Sequence, residues 1–185
     1  MNLVRTDFPG LLLIEPTVFG DARGYFFESY NQDALAAEAG IATVFRQDNQ
    51  SFSRRGVIRG LHFQHPPHAQ TKLIRAVVGC IYDVAVDLRR GSPTFGKWMG
   101  VELSADNRRQ FYIPQGFAHG FSVLSEQAVI LYKCDNLYHP PSEGGVLYSD
   151  PTLGINWQIG DDEALVSGKD KLLPVLEDVK TRFVF

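Results

Sequence analysis

The stretch Gly56-Val-Ile-Arg-Gly-Leu-His-Phe-Gln-His-Pro-Pro-His-Ala-Gln-Thr-Lys72 sets three imidazoles, His62, His65 and His68, and two cations, Arg59 and Lys72, between two apolar alternations. Alternation with a period of two marks strands that bury one face. Bases and cations gathered at this density on strands suit proton transfer on an anionic substrate, or on one that develops an oxyanion. A second segment, Phe111-Tyr-Ile-Pro-Gln-Gly-Phe-Ala-His-Gly-Phe121, contributes His119 between glycines. The remaining chain reads as scaffold for these two pieces, with a few residues that hold the substrate.

Outward from the quoted stretch, strand patterns recur over residues 43–50, 57–63, 72–78, 80–88, 98–103, 109–113, 119–124 and 128–134. Gly, Pro, Asn and Asp mark the gaps between them. Residues 11–14 and the aromatic run 25–30 read as two earlier strands, the second with Phe26, Glu28 and Tyr30 on one face. One helix is predicted over residues 32–39, capped by Asn31 and stopped by Gly40. Residues 151–185 carry a weaker pattern, with a turn at 160–163, and read as a C-terminal wrap over the sheet. Short strands around a single helix predict an all-β sandwich or barrel, and no linker or repeat divides residues 1–185, so one domain is expected.

Composition removes several functions. The 185 residues are 44% hydrophobic and 21% charged, enough for one full core. A net charge of -3 argues against a broad nucleic-acid surface. The basic pairs at 54–55, 89–90 and 108–109 sit at predicted turns and are expected to be solvated or locally paired. No apolar run approaches the ~18 residues of a bilayer span, and the start lacks signal-peptide features, so no membrane partner and a cytoplasmic location are expected. Cys80 and Cys134 lie in apolar strands and are expected to be buried free thiols.

The two histidine segments resemble the paired motifs of cupins, the small jelly-roll barrels. Gly60-Leu-His62-Phe-Gln64 keeps the first histidine of the first motif, but has an amide at the second histidine. Lys72, seven positions before Gly79, replaces the glutamate of metal-binding cupins, while Pro114, Gly116 and His119 meet the second motif. An ammonium and an amide are poor ligands for a divalent ion, so no metal site is expected. With these substitutions the chain resembles the dTDP-4-dehydrorhamnose 3,5-epimerase family of sugar-nucleotide epimerases. The motifs that carry the likeness are Phe19-Gly-Asp-x-Arg-Gly24, Gln47-Asp-Asn49, Arg59-Gly-Leu-His-Phe-Gln64, Lys72 and Asp83-Val-Ala-Val-Asp-Leu88. They continue through Ser92-Pro-Thr-Phe-Gly96, Ile113-Pro-x-Gly-Phe-Ala-His-Gly-Phe121, Leu131-Tyr-Lys133 and Lys169-Asp170, so the match covers most of the chain.

The resemblance implies a cupin-type jelly-roll barrel and a dTDP-linked 4-keto-6-deoxy sugar as substrate. Protons at C3 and C5 flank the C4 ketone, so removing either gives an enolate at O4, and protonation from the opposite face inverts the carbon. That chemistry needs a base, an acid and a positive group at O4, with no cofactor. His62 fits the base, because a free imidazole titrates near pH 6.5, and Asp170 matches the aspartate that orients it. Tyr132 matches the acid, and Lys72 the electrophile at O4.

By the same likeness, Arg23, Arg59 and Lys169 meet the diphosphate or nucleotide. Glu28, Gln47 and Asn49 surround the thymidine, Tyr138 stacks on its base, and Phe19 and Phe26 line that pocket. His119 and Glu143 contact the substrate. His65 and His68 match nothing in the family and read as loop histidines, and Asp83, in an apolar strand, needs a partner if buried. The family implies a homodimer that exchanges N-terminal strands, so that Arg23 serves the neighbour's site. Relatives that invert one carbon, a metal-dependent cupin and a non-catalytic carbohydrate-binding or dimerisation module are the competing readings.

Overall fold

The computed structural model describes residues 1–160 and 162–185. Among the described residues, fourteen strands run in chain order: β1 Asn2–Arg5, β2 Leu12–Glu15, β3 Phe19–Asp21, β4 Gly24–Phe26, β5 Gln47–Arg54, β6 Val57–Gln64 and β7 Lys72–Val78. There follow β8 Cys80–Asp87, β9 Trp98–Ser104, β10 Gln110–Ile113, β11 Phe117–Val123, β12 Gln127–Cys134, β13 Glu143–Gly145 and β14 Leu165–Val166. The helix α1 spans Gln32–Ala39, as the sequence predicts. Asn31 accepts the N–H of Ala34, and Gly40 closes the helix in the left-handed region at φ 70°.

Two sheets face each other. The first has the order β1-β2-β10-β7-β12-β5, and the second β13-β6-β11-β8-β9 with β14 beside β6. Strand alternation sorts the side chains into three apolar layers. Ile74, Phe111 and Ile130 of the first sheet meet Ile81, Leu103 and Phe121 of the second in the barrel interior. On the outside of the first sheet, Leu12, Ile14, Leu73 and Tyr112 take Leu35 of α1. On the outside of the second, Val84, Val86 and Ala118 are covered by Leu153, Trp157 and Phe183, so the C-terminal segment does wrap the sheet. Two 3₁₀ turns, Asp170–Leu172 and Leu176–Asp178, and β14 organise that wrap, and the Glu163 N–H donates to the Gly160 carbonyl at 3.0 Å; within the turn expected over 160–163, residue 161 lies outside the described residues. No helix among the described residues is long and apolar enough to cross a membrane.

Some boundaries differ from the sequence reading. The strand expected over 25–30 ends at Phe26, so Phe26, Glu28 and Tyr30 share no strand face. Tyr30 instead packs edge-on against Phe45, 5.5 Å between centroids, beneath α1. The strand expected from 43 begins at Gln47, because Ile41 and Phe45 are spent docking the helix rather than pairing. Cys134 is a buried free thiol, but Cys80 is only half-buried. Of the basic pairs, Arg89 forms a buried ion pair with Asp87, and Arg55 and Arg109 pair at the surface with Glu163 and Glu15.

Candidate active site

A cavity of about 670 Å³ opens between the sheets, lined by Arg59, His62, Lys72, His119, Tyr132, Lys169 and Asp170 among others. A second cavity of about 320 Å³ adjoins it, lined by Gln47, Asn49, Tyr138, Cys134 and Glu143. His62, Lys72 and Tyr132 line both, so they stand at the junction. His62 comes from β6 in one sheet, Tyr132 from β12 in the other, and the two walls face each other across the gap. Lys72 begins β7 beside Tyr132, whose register partner on β7 is Ile74.

A local irregularity sets the His62 wall. His119 pairs with His62 and Phe121 with Arg59, so three steps on β6 match two on β11. Simple alternation would send Arg59 and His62 to opposite faces; the extra residue turns both into the cavity. Glycine allows it. A Cβ on Gly60, at φ 119°, would stand 2.6 Å from the Gly120 Cα, and one on Gly120 would stand 2.7 Å from the Arg59 carbonyl oxygen.

His62 Nε2 lies 2.8 Å from Asp170 Oδ1. The aspartate is itself held: its other oxygen accepts the Gly60 N–H at 3.2 Å, and its own N–H donates to Ser167 Oγ at 3.1 Å. Burial pushes the His62 imidazolium below the ordinary histidine range, and the hydrogen bond to Asp170 opposes it without winning. Burial also lowers Lys72 from the ordinary lysine value and raises the Tyr132 phenol above its own. The site therefore favours a neutral base, an intact phenol and an ammonium under desolvation stress.

His119 forms a parallel pair: its Nε2 is 2.8 Å from Oδ1 of the fully buried Asp83. Arg59 is aimed by Ser53 Oγ, which accepts from Nε at 3.0 Å, and by the Phe52 carbonyl. Gln47 donates to Asn49 at 2.8 Å and accepts the Tyr138 N–H at 2.9 Å. Glu143 accepts from Lys169 Nζ at 2.6 Å and from the Tyr138 hydroxyl at 3.3 Å, tying the rims of the two cavities together. Gln64, in the place of a cupin histidine ligand, spends its amide on the carbonyls of His68 and Leu137 and accepts the His139 N–H. That donor set does not fit a metal ion, and no group of three or more potential ligands occurs among the described residues.

Four expected site residues lie apart. Phe19, Arg23 and Phe26 sit on the β3–β4 hairpin, where Phe19 is 63% and Phe26 68% exposed, and among the described residues Arg23 pairs only with Asp21. Glu28 borders a shallow crevice near α1. His65 and His68 also stay outside both cavities; His65 packs on Phe63 and Phe183, and His68 stacks on His139 at 3.7 Å. The structure adds lining residues that the sequence reading passed over: Ser51, Ser167, Lys171 and Cys134. Lys171 repeats the cation of Lys169 two positions on, a signal present in the sequence; Cys134 is placed only by register.

Comparison with known proteins came to one family. The sequence profile of dTDP-4-dehydrorhamnose 3,5-epimerase matches residues 5–178. A protein of that name from Shigella flexneri is 52% identical over 170 residues, covering 92% of this chain and 93% of the relative. The crystal structure of the enzyme of that name from Elizabethkingia anophelis superposes with a TM-score of 0.93 at 52% identity, over 96% of this chain and 97% of that one. An epimerase from Legionella pneumophila, solved in complex with dTDP-4-keto-L-rhamnose, gives a TM-score of 0.92 at 47% identity, covering 96% and 94% of the two chains.

Proposed function

The chain belongs to the dTDP-4-dehydrorhamnose 3,5-epimerase family, and from that premise we propose how its cavity performs the reaction. The enzyme is an epimerase that converts dTDP-4-dehydro-6-deoxy-D-glucose to dTDP-4-dehydro-L-rhamnose, in dTDP-L-rhamnose biosynthesis. His62, neutral because burial disfavours its charge, takes the proton from C3 or C5. Asp170 accepts the Nε2–H of His62, which leaves Nδ1 as the basic nitrogen and steadies the imidazolium once it forms. Charge then gathers on O4, where the Lys72 ammonium meets it in a desolvated site. Tyr132, on the opposite sheet, returns a proton to the other face of the carbon, and the new configuration is set. No step calls for a metal or redox cofactor.

The observation that carries this reading is the junction: an imidazole and a phenol on opposed walls, with an ammonium beside the phenol, shared by both cavities. The smaller cavity, with Gln47, Asn49, Tyr138 and Glu143, takes the thymidine; Arg59 and Lys169 at the larger mouth take the diphosphate. The two carbons are separated by experiment. Incubation with dTDP-4-keto-6-deoxyglucose in deuterated water, followed by NMR, should show label and inversion at both C3 and C5. Lasting inversion at one carbon alone would make the enzyme a mono-epimerase.

The β3–β4 hairpin supports a homodimer. Its aromatic residues are exposed, β5 presents an unpaired edge at the end of the first sheet, and β1 and β2 pair within their own chain. We therefore assign the exchange to the hairpin, which carries Phe19, Arg23 and Phe26 to the partner's nucleotide pocket, with Glu28 following. A nucleotide sugar as substrate suits a cytoplasmic enzyme.

A further inference from the structure

Strand β8 carries two fully buried carboxylates, and they are treated differently. Asp87 is saturated: it accepts from Arg89 Nε and Nη2, from the Arg89 N–H, and from the hydroxyls of Ser92 and Thr94. Among the described residues Asp83 has one hydrogen-bond partner, His119, while its Oδ2 is buried with none. A buried carboxylate oxygen without a donor is costly and rare in folded proteins. Replacing the residue by an apolar one would remove that cost, so a carboxylate here asks for a task beyond folding.

The geometry points to Asp83 as a positioning residue: it accepts the Nε2–H of His119, so that a bare Nδ1 faces the cavity to accept a hydrogen from a hydroxyl of the sugar. An ionised carboxylate only accepts, so the imidazole nitrogen at 2.8 Å must carry the proton. The neutral ring then has one nitrogen left, and His119 lines the larger cavity beside its register partner His62. Both histidines thus spend Nε2 on an aspartate and offer Nδ1 to the substrate, one to a carbon-bound proton and the other to a hydroxyl.

This inference rests on the epimerase reading, and the test separates the two. Long-range ¹H–¹⁵N correlation on the unmodified enzyme should find the His119 proton on Nε2 and Nδ1 bare; a proton on Nδ1 alone overturns the inference without any variant. In a double-mutant cycle, Asp83→Asn should lower kcat/KM by ~10²-fold in the wild-type background, since an amide can present its N–H to the ring and reverse the tautomer. In a His119→Gln background the same change should cost no more than about threefold, because it acts through the missing ring. Losses that multiply in full would assign Asp83 to something other than His119. A wild-type enzyme that washes no deuterium into C3 or C5 would refute the epimerase reading itself, whereas an exchanging wild type with multiplying losses sinks only the role of Asp83.

Discussion

Lys72 and Cys134 are register partners on β7 and β12, so the ammonium at the cavity junction faces a thiol and not a carboxylate. Burial raises the thiol to about 11, with Asn49 donating to its sulfur at 3.8 Å, so Cys134 stays neutral and does not compete with the substrate for the Lys72 ammonium. A carboxylate at that position would pair with the ammonium and compete with O4.

Cys134→Asp is therefore expected to cut kcat by ~10- to 100-fold, part of what removing an oxyanion donor costs. Cys134→Ser, neutral and able to accept from Asn49, should stay within about threefold of wild type. Initial rates at saturating substrate measure both. Wild-type turnover by Cys134→Asp would mean that Lys72 does not carry the enolate charge.

The pH profile follows from His62. Its imidazolium is depressed below the usual histidine value of about 6.5, so the base form persists as pH falls past that point. The acid limb of kcat/KM should lie below pH 6.5. Asp170 pulls the other way, so Asp170→Asn should shift the limb to still lower pH while slowing the reaction ~10²–10⁴-fold. A limb moving to higher pH in that variant would mean that Asp170 does not hold the proton on His62, and a wild-type limb above pH 6.5 would contradict the balance of burial over pairing. His62→Ala should abolish exchange at both carbons at any pH.

How much of the molecule is legible in its sequence depends on the distance over which each feature is fixed. The capped helix 32–39 and the alternation of β7 and β12 are local, and the sequence reading places them correctly. His62, Lys72, Tyr132 and Asp170 are named from motifs, and they converge although Asp170 lies 108 residues from His62. Arg59 beside His62 on one wall is not readable, since it depends on a bulge where two glycine backbones touch. Burial narrows the partner of Asp83 to His119 or Lys72, and only the pairing of β8 with β11 decides it. Strand boundaries at 27–30 and 43–46 fail because Tyr30 and Phe45 pack under a helix, a tertiary use that mimics strand alternation.

Tyr132→Phe separates the two faces. Without the phenol, His62 can still remove a proton and return it, or a deuteron, to the side it came from. Inversion should fall ~10²-fold or more, and deuterium exchange with retention should fall less. Mass spectrometry of recovered substrate against NMR of product resolves the ratio. Equal suppression of exchange and inversion would place Tyr132 on the same face as the base or in ground-state binding.

The exposed hairpin yields the last test. Among the described residues of its own chain Arg23 pairs with Asp21 alone, and its removal should weaken substrate binding ~10-fold or more if it meets the diphosphate of a neighbouring site. Mixing Arg23→Ala with His62→Ala protomers then distinguishes own from partner use. In a mixed dimer, the protomer that keeps His62 receives an intact hairpin from its neighbour, so one site in that dimer is whole. Random exchange of subunits should restore roughly a quarter of wild-type activity at low substrate, from two preparations that are each defective alone. If Arg23 served its own chain, every site in the mixture would lack one residue or the other, and mixing would restore nothing; sedimentation as a monomer would rule out the exchange by a shorter route.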